Sequence, residues 1–204
     1  MAATPLHILS NQMEWTPGRR RGSKRLGLLF GALLTLLSSL PAQSWADQTE
    51  RRILIGLKVF PSVVAANQSL PQGLQRPVRL LVVYLDDRGR AEETATRLRE
   101  LGTVRERPVR VDVRRYDGLP ENSETPVAGI FLAQWLNDRL QPVLRYAREQ
   151  HAVLFSPFEG DVERGVMSGL SVRDRILPYV NVTALEAAGV HLKPFFMEVA
   201  RRHE

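Results

Sequence analysis

Residues 78–102 read VRLLVVYLDDRGRAEETATRLRELG, and this stretch decides the fold. Its first eight residues are almost continuously apolar and rich in β-branched side chains, which is typical of a strand covered on both faces. Asp86-Asp87-Arg88-Gly89 then predicts a turn, and residues 91–101 predict an amphipathic helix that ends at Gly102. A buried strand followed directly by a helix indicates the first half of a parallel βαβ unit.

The alternation of strand and helix continues toward the C-terminus. The next predicted strands are residues 109–116, 127–133 and 152–156. A helix is predicted over residues 137–150, between the last two of these strands. Residues 166–172 and 175–182 predict an antiparallel hairpin joined at Arg173-Asp174. We therefore expect a single compact α/β domain, with a mostly parallel sheet, helices on both faces and a C-terminal antiparallel hairpin.

The remaining predicted elements are helices over residues 48–66, 183–188 and 194–202. Pro61 is expected to bend or end the first of them, because proline lacks the N–H that the helix needs. Thr183 is expected to be the N-cap of the second helix, with Glu186 completing a capping box.

Residues 19–46 have the organisation of an export signal. A basic stretch precedes an apolar run over residues 26–40, Pro41 follows, and the small residues Ser44 and Ala46 stand where a signal peptidase reads. The run of about 15 residues is shorter than the roughly 20 that a permanent membrane helix needs. The sequence therefore predicts cleavage after Ala46 and a periplasmic protein.

The predicted division of the chain is a signal peptide over residues 1–46 and an α/β domain over residues 47–204. Two alternatives stay open at this point. The apolar run is either cleaved or retained as a membrane anchor, and translation starts either at Met1 or at Met13.

The net charge of +6 belongs largely to the export signal. Residues 1–46 contain five of the 28 basic side chains and one of the 22 acidic ones, so the remaining chain carries a net charge of +2. A nucleic-acid partner is not expected, because phosphate binding requires a dense basic face. The chain has no cysteine, which excludes disulfides and thiol chemistry.

The C-terminal third carries a recognisable pattern. A strand contains Gly165 and Gly169, a second strand reaches Asn181, a helix ends in Ala187-Ala188-Gly189-Val190, and FFMEVA follows at residues 195–200. This order resembles the end of the YfiR-like family of small periplasmic proteins. The order of elements is similar over most of the predicted mature chain.

The resemblance implies a compact α/β domain that acts as a signalling adaptor. In that family the best-known type of member restrains an inner-membrane diguanylate cyclase by binding its periplasmic domain, often as a dimer. The implied partner is thus the periplasmic domain of an inner-membrane sensor or cyclase. A homodimer is a further expectation, since the terminal amphipathic helix could serve an interface.

Residues 155–172, FSPFEGDVERGVMSGLSV, concentrate acids and glycines. Glu159, Asp161 and Glu163 lack the ligand spacing of a calcium loop, so we expect no metal there. The preferred interpretation is a solvated loop after a strand, in which Glu159 or Asp161 caps a short turn. As an exposed, charged loop that begins near Phe158, it is also a candidate partner surface.

Asp86 and Asn181 complete the set of candidate binding residues. Asp86 lies at the carboxyl end of the first strand, where open α/β sheets place ligands, but the alternative is a plain turn that starts the next helix. Asn181 lies in an apolar strand, and its amide either fixes the start of the next helix or a nearby loop, or binds a ligand.

No motif with a catalytic mechanism occurs in the sequence, so we expect no enzyme and no cofactor. The leading hypothesis is a periplasmic, non-enzymatic regulator that binds an inner-membrane signalling protein. The first alternative is a small-solute-binding component of a transport system, with an unidentified ligand near Asp86 and Phe158. The second is an envelope hydrolase that depends on Asp86, Glu159 or Asp161.

Overall fold

Eight strands form one sheet in the residues that the computed structural model describes, which are 43–70, 76–120 and 126–204. The strands are β1 Val78–Tyr84, β2 Thr103–Val104, β3 Arg107–Arg115, β4 Gly129–Leu132, β5 Val153–Ser156, β6 Ser168–Val172, β7 Ile176–Asn181 and β8 Arg201–His203. The helices are α1 Gln43–Ala66, α2 Arg88–Glu100, α3 Leu140–Glu149, α4 Val182–Ala187 and α5 Pro194–Val199, and a 3₁₀ turn spans Asn137–Arg139.

The strand order is β2-β3-β1-β4-β5-β6-β7-β8. The pairs β2–β3 and β6–β7 are antiparallel, and all other neighbouring pairs are parallel. The predicted fold class, a mostly parallel α/β sheet with a hairpin near the C-terminus, is confirmed.

Helices cover both faces of the sheet because consecutive connections run in opposite directions. The chain goes from β1 through α2 to β3 on one side, and from β4 through α3 to β5 on the other. Right-handed crossovers then place α2 and α3 on opposite faces. Helix α1 packs by Phe60 against Phe131 and Phe155, at ring-centroid distances of 5.5 and 5.7 Å.

Pro61 lies inside α1 and does not end it, so that part of the prediction is wrong. A proline in a helix interior costs about 3 kcal/mol through the lost hydrogen bond and the clash with the preceding turn. Phe60, Val63 and Val64, which flank Pro61, are fully buried. Burying three large apolar side chains contributes more than this cost, so the helix continues to Ala66.

The predicted terminal helix is also wrong in its second half. Helix α5 ends at Val199, Ala200 is extended, and residues 201–203 form β8 beside β7. The free edge of β7 supplies backbone hydrogen bonds that a local sequence pattern does not reveal. Phe195 and Val199 are exposed, whereas Leu192 and Phe196 are buried.

The predicted signal peptide lies outside the described residues as far as residue 42, and its cleavage site after Ala46 falls in the first turns of α1. Residues 43–204 form one compact unit. In the described part of the chain, none of the helices combines the length and the apolar character that a membrane crossing requires.

Candidate functional site at the carboxyl ends of the strands

The connections from β1 and β4 diverge, so these adjacent strands form the switch point of the sheet. Open α/β sheets bind ligands in the crevice beyond the carboxyl ends of such strands. The residues at this position are 85–87 after β1 and 133–135 after β4. This is where the sequence predicted a site at Asp86.

Gln134 fills this crevice with its own side chain. Its Oε1 accepts hydrogen bonds from the backbone N–H groups of Leu85, Asp86 and Asp87, with N···O distances of 2.9, 3.1 and 2.9 Å. Its Nε2 donates to Asp86 Oδ1 at 2.8 Å. Three convergent N–H groups at a helix start would otherwise suit an anion, and here the side-chain amide of Gln134 uses them.

Asp86 and Asp87 therefore form a turn that starts α2, which is one of the two predicted interpretations. Asp87 is the N-cap, and its Oδ1 accepts from the backbone N–H of Arg90 at 2.9 Å. Both aspartates remain exposed at the surface of the carboxyl edge.

The loop after β5 differs from its prediction at Asp161. Glu159 and Glu163 are exposed as expected, but Asp161 is only 1% exposed. The expectation that all three acids belong to a solvated loop is wrong for Asp161. Alternating acids suggested a single exposed face, whereas the consecutive turns of residues 159–165 point Asp161 inward and its two neighbours outward.

Asp161 receives side-chain hydrogen bonds from β5 and from its own loop. Its Oδ2 accepts from the Ser156 hydroxyl at 2.6 Å, and its Oδ1 accepts from Arg164 Nη1 at 3.1 Å. Burial raises the pKa of Asp161, while the Ser156 hydroxyl and the positive charge of Arg164 act in the opposite direction. The nearby indole of Trp135 also acts to lower the pKa of this carboxyl group.

The same loop is fixed from beneath by β6 and β7. Asn181 is buried, and its Nδ2 donates to the Val162 carbonyl at 2.8 Å. Its Oδ1 accepts from the Ala184 N–H at 2.8 Å, so Asn181, and not Thr183, is the N-cap of α4. The predicted structural role of Asn181 is thus the one observed, and the predicted Thr183 cap is wrong. The asparagine lies one residue before the helix and can satisfy both segments, which a threonine hydroxyl at position 183 could not.

Gly169 lets this loop approach the sheet closely. A Cβ at position 169 would lie 2.7 Å from the Ser156 carbonyl oxygen and 2.8 Å from a methyl group of Val162. Both contacts are far shorter than van der Waals contact. The glycine that the sequence analysis matched to a family pattern is therefore required by packing.

A shallow groove of about 600 Å³ runs across the carboxyl edge. We call it the carboxyl-end groove, and its lining includes Thr49, Arg90, Gln134, Trp135, Phe158 and Glu159. Trp135 is 51% exposed, which is unusual for so large an apolar side chain. The guanidinium of Arg164 lies 6.0 Å from the indole ring centroid.

A smaller polar depression of about 170 Å³ adjoins the groove at Phe158 and Glu159. Arg52 contributes to it, and its guanidinium donates to the carbonyls of Pro157 and Leu170 at 2.6 and 3.1 Å. These two hydrogen bonds link the residue that follows β5 to the middle of the neighbouring strand β6. Burial lowers the pKa of Arg52, against the charges of Glu159 and Glu163.

The structure brings some of the predicted candidates together and separates others. Phe158 and Glu159 line both depressions, Glu163 lines the smaller one, and Asp86 is tied to the groove through Gln134. Asp161 and Asn181 lie beneath this surface and support it.

Sequence reasoning missed four residues of this surface, namely Arg52, Gln134, Trp135 and Arg164. A tryptophan directly after a buried strand was the one available signal, because the carboxyl end of a parallel strand faces the ligand side of such sheets. Within the described ranges, no three His, Asp or Glu side chains are grouped so that they could hold a metal ion.

No protein-family model matches the chain, and no curated protein matches it significantly. The resemblance to the YfiR-like family accordingly stays a prediction.

Proposed function

We propose that this protein is an exported, non-enzymatic regulator that binds an inner-membrane signalling protein through the carboxyl-end groove. The resemblance to the YfiR-like family supplies the class of partner, which is the periplasmic domain of a diguanylate cyclase or a related sensor. The predicted export signal indicates the periplasm as the compartment. The carboxyl-end groove is the proposed surface that the partner covers.

The observation that carries the proposal is the exposed indole of Trp135 at the switch point of the sheet. Tryptophan is enriched at protein interfaces, and its rigid side chain has only two torsions to restrict when a partner covers it. Phe158 adds a second apolar contact, and exposed charges surround the pair. This combination of an aromatic centre and a polar rim is typical of protein–protein interfaces.

A small-solute site at the same place is the second candidate. The volume of about 600 Å³ falls in the range of ligand pockets. The groove is open to solvent, however, whereas a solute-binding site encloses most of its ligand. The N–H groups that would hold an anionic solute are already bonded to Gln134. A stabilisation of several degrees by one metabolite in a thermal-shift screen would favour this candidate over a protein partner.

The proposal is tested by filling the groove. Thr49 lies on α1 and lines the groove, so Thr49→Arg adds bulk there without removing a large side chain. Ser62→Arg is the matched control, because it is an exposed position on the same helix about 20 Å away at 1.5 Å per residue. In a pull-down from membranes of the native host, the wild-type chain and Ser62→Arg should each retain an inner-membrane protein. Thr49→Arg should not retain it.

A second readout concerns signalling. Deletion of the gene should change the cellular level of cyclic di-GMP, and Thr49→Arg should behave like the deletion while Ser62→Arg complements it. Unchanged cyclic di-GMP after deletion, together with no membrane protein retained by the wild type, would refute the proposed function.

A further inference from the structure

The charged side chains around the carboxyl-end groove differ in whether they have a partner of opposite charge. The exposed carboxylate of Glu159 takes part in no ion pair within the described residues. The exposed carboxylate of Asp86 has a neutral partner, the amide of Gln134. Neither acid therefore forms an ion pair, although the charge of Arg52 acts on Glu159 from the adjoining depression.

The nearby cations, in contrast, are already engaged. Arg90 lies 3.5 Å from Glu50 and 3.9 Å from Asp87. Arg164 pairs with Asp161 at 3.1 Å and also donates to the Asn137 carbonyl. Arg52 donates to two backbone carbonyls. Within the carboxyl-end groove, Arg90 is thus paired with carboxylates, whereas Glu159 next to the aromatic centre has no ion-pair partner.

Trp135 also favours the binding of a cation. Half of its surface is accessible, and an indole face attracts a cation about as strongly as any aromatic side chain does. The guanidinium of Arg164 already lies 6.0 Å from the ring centroid. The accessible part of the ring and the side chain of Phe158 offer apolar area beside the free carboxylate of Glu159.

We propose that the carboxyl-end groove binds a partner segment that presents a lysine or arginine side chain next to an apolar residue. The cation pairs with Glu159, and the apolar residue packs on Trp135 and Phe158. This inference rests on the proposed function, because it names the chemistry of the partner at the same groove. An acidic or phosphate-bearing ligand is disfavoured beside the aromatic centre, since it would meet the carboxylate of Glu159 there.

The direct test uses three fluorescent hexapeptide probes and the full chain. One probe alternates leucine with lysine, the second leucine with glutamate, and the third leucine with serine. Fluorescence anisotropy should show the lysine probe binding at least about tenfold more tightly than either other probe, because tenfold corresponds to one favourable charge pair of about 1.4 kcal/mol. Raising the ionic strength from about 0.05 M to 0.5 M should weaken this binding.

Charge variants locate the contact. Glu159→Lys should weaken binding of the lysine probe about tenfold, and Glu159→Gln should weaken it less. Glu100→Lys is the matched control, because Glu100 is exposed at the far end of α2, where a cation also suits the helix terminus. This control should bind the probe within about twofold of the wild type, as expected for a change about two Debye lengths away.

Three results would overturn the inference: equal binding of the lysine and serine probes, tighter binding of the glutamate probe, or no effect of Glu159→Lys. Failure of the proposed function is distinguishable from these results. If the lysine probe binds as expected while membranes yield no partner, the recognition chemistry stands and the regulatory role fails. If a partner is retained but the probes show no charge preference, only this inference fails.

Discussion

The carboxylate of Asp161 is held away from water directly beneath the exposed surface of the groove. It connects β5 through Ser156 with its own loop through Arg164, and the same Ser156 hydroxyl accepts from the backbone N–H of Phe158 in the groove. A buried charge with several partners is costly to unpair, because its desolvation is then uncompensated. At the residue scale, Asp161 therefore sets the geometry of the groove although it does not line it.

Reversal of this charge should be far more damaging than reversal of its neighbours. Asp161→Arg should lower the free energy of unfolding by about 3–5 kcal/mol, since it places two guanidinium groups together in a buried site. Glu159→Lys and Glu163→Lys should each change it by less than about 0.5 kcal/mol, because both side chains are exposed. Urea unfolding measures all three, and a tolerated Asp161→Arg would contradict the buried network.

The raised pKa of Asp161 also predicts a pH dependence. The folded state holds the proton more tightly than the unfolded chain, so this residue contributes stability below its unfolded pKa of about 3.9 that is lost as pH rises through its folded pKa. Relative to Asp161→Asn, the wild type should therefore lose unfolding free energy between about pH 4 and the folded pKa. Urea unfolding of both proteins across this range is the measurement. If the unfolding free energy of the wild type instead rises relative to that of Asp161→Asn as pH increases over this range, the pKa of Asp161 is lowered in the folded state.

Strands β7 and β6 support the loop from below, each through a single residue. Asn181 joins the start of α4 to the Val162 carbonyl, and Gly169 lets the loop lie on β6. Neither residue lines the carboxyl-end groove. The position of residues 157–165 thus depends on contacts with β6 and β7 that lie outside this groove.

Asn181→Ala should lower the free energy of unfolding by about 1–3 kcal/mol, because it removes a helix cap and leaves a buried carbonyl without its donor. Thr183→Ala should cost less than about 0.5 kcal/mol, since Thr183 is exposed and is not the cap. Thermal or urea unfolding compares the two variants. A larger loss at Thr183 would restore the capping box that the sequence suggested.

Gly169→Ala should lower the free energy of unfolding by about 1–3 kcal/mol, because the new methyl group meets a backbone oxygen that cannot move away alone. Gly118→Ala is the control, since the nearest atom to a Cβ there is 3.7 Å away, and its effect should stay below about 0.5 kcal/mol. Equal stability of the two variants would show that the loop tolerates displacement from β6.

The architecture of the whole molecule follows from patterns that are local in the sequence. Continuous apolar runs identify β1, β4 and β5, and their alternation with amphipathic helices predicts a parallel sheet. Strand β8 was not predictable, because it forms only where β7 offers a free edge. The groove was predictable only in part. Asp86 and Phe158 mark the correct edge, but Arg164, which binds Asp161, also reaches the Asn137 carbonyl 27 residues away in the chain, and such a contact leaves no local pattern.

The proposed function requires that this edge of the molecule, and no other, meets a membrane partner. A photo-crosslinking amino acid at position 135 tests it in living cells, with position 195 as the control, because Phe195 is an aromatic residue of similar exposure on α5. The account predicts a crosslink to an inner-membrane protein from position 135 and none from position 195. A crosslink to such a protein from position 195 alone would contradict it.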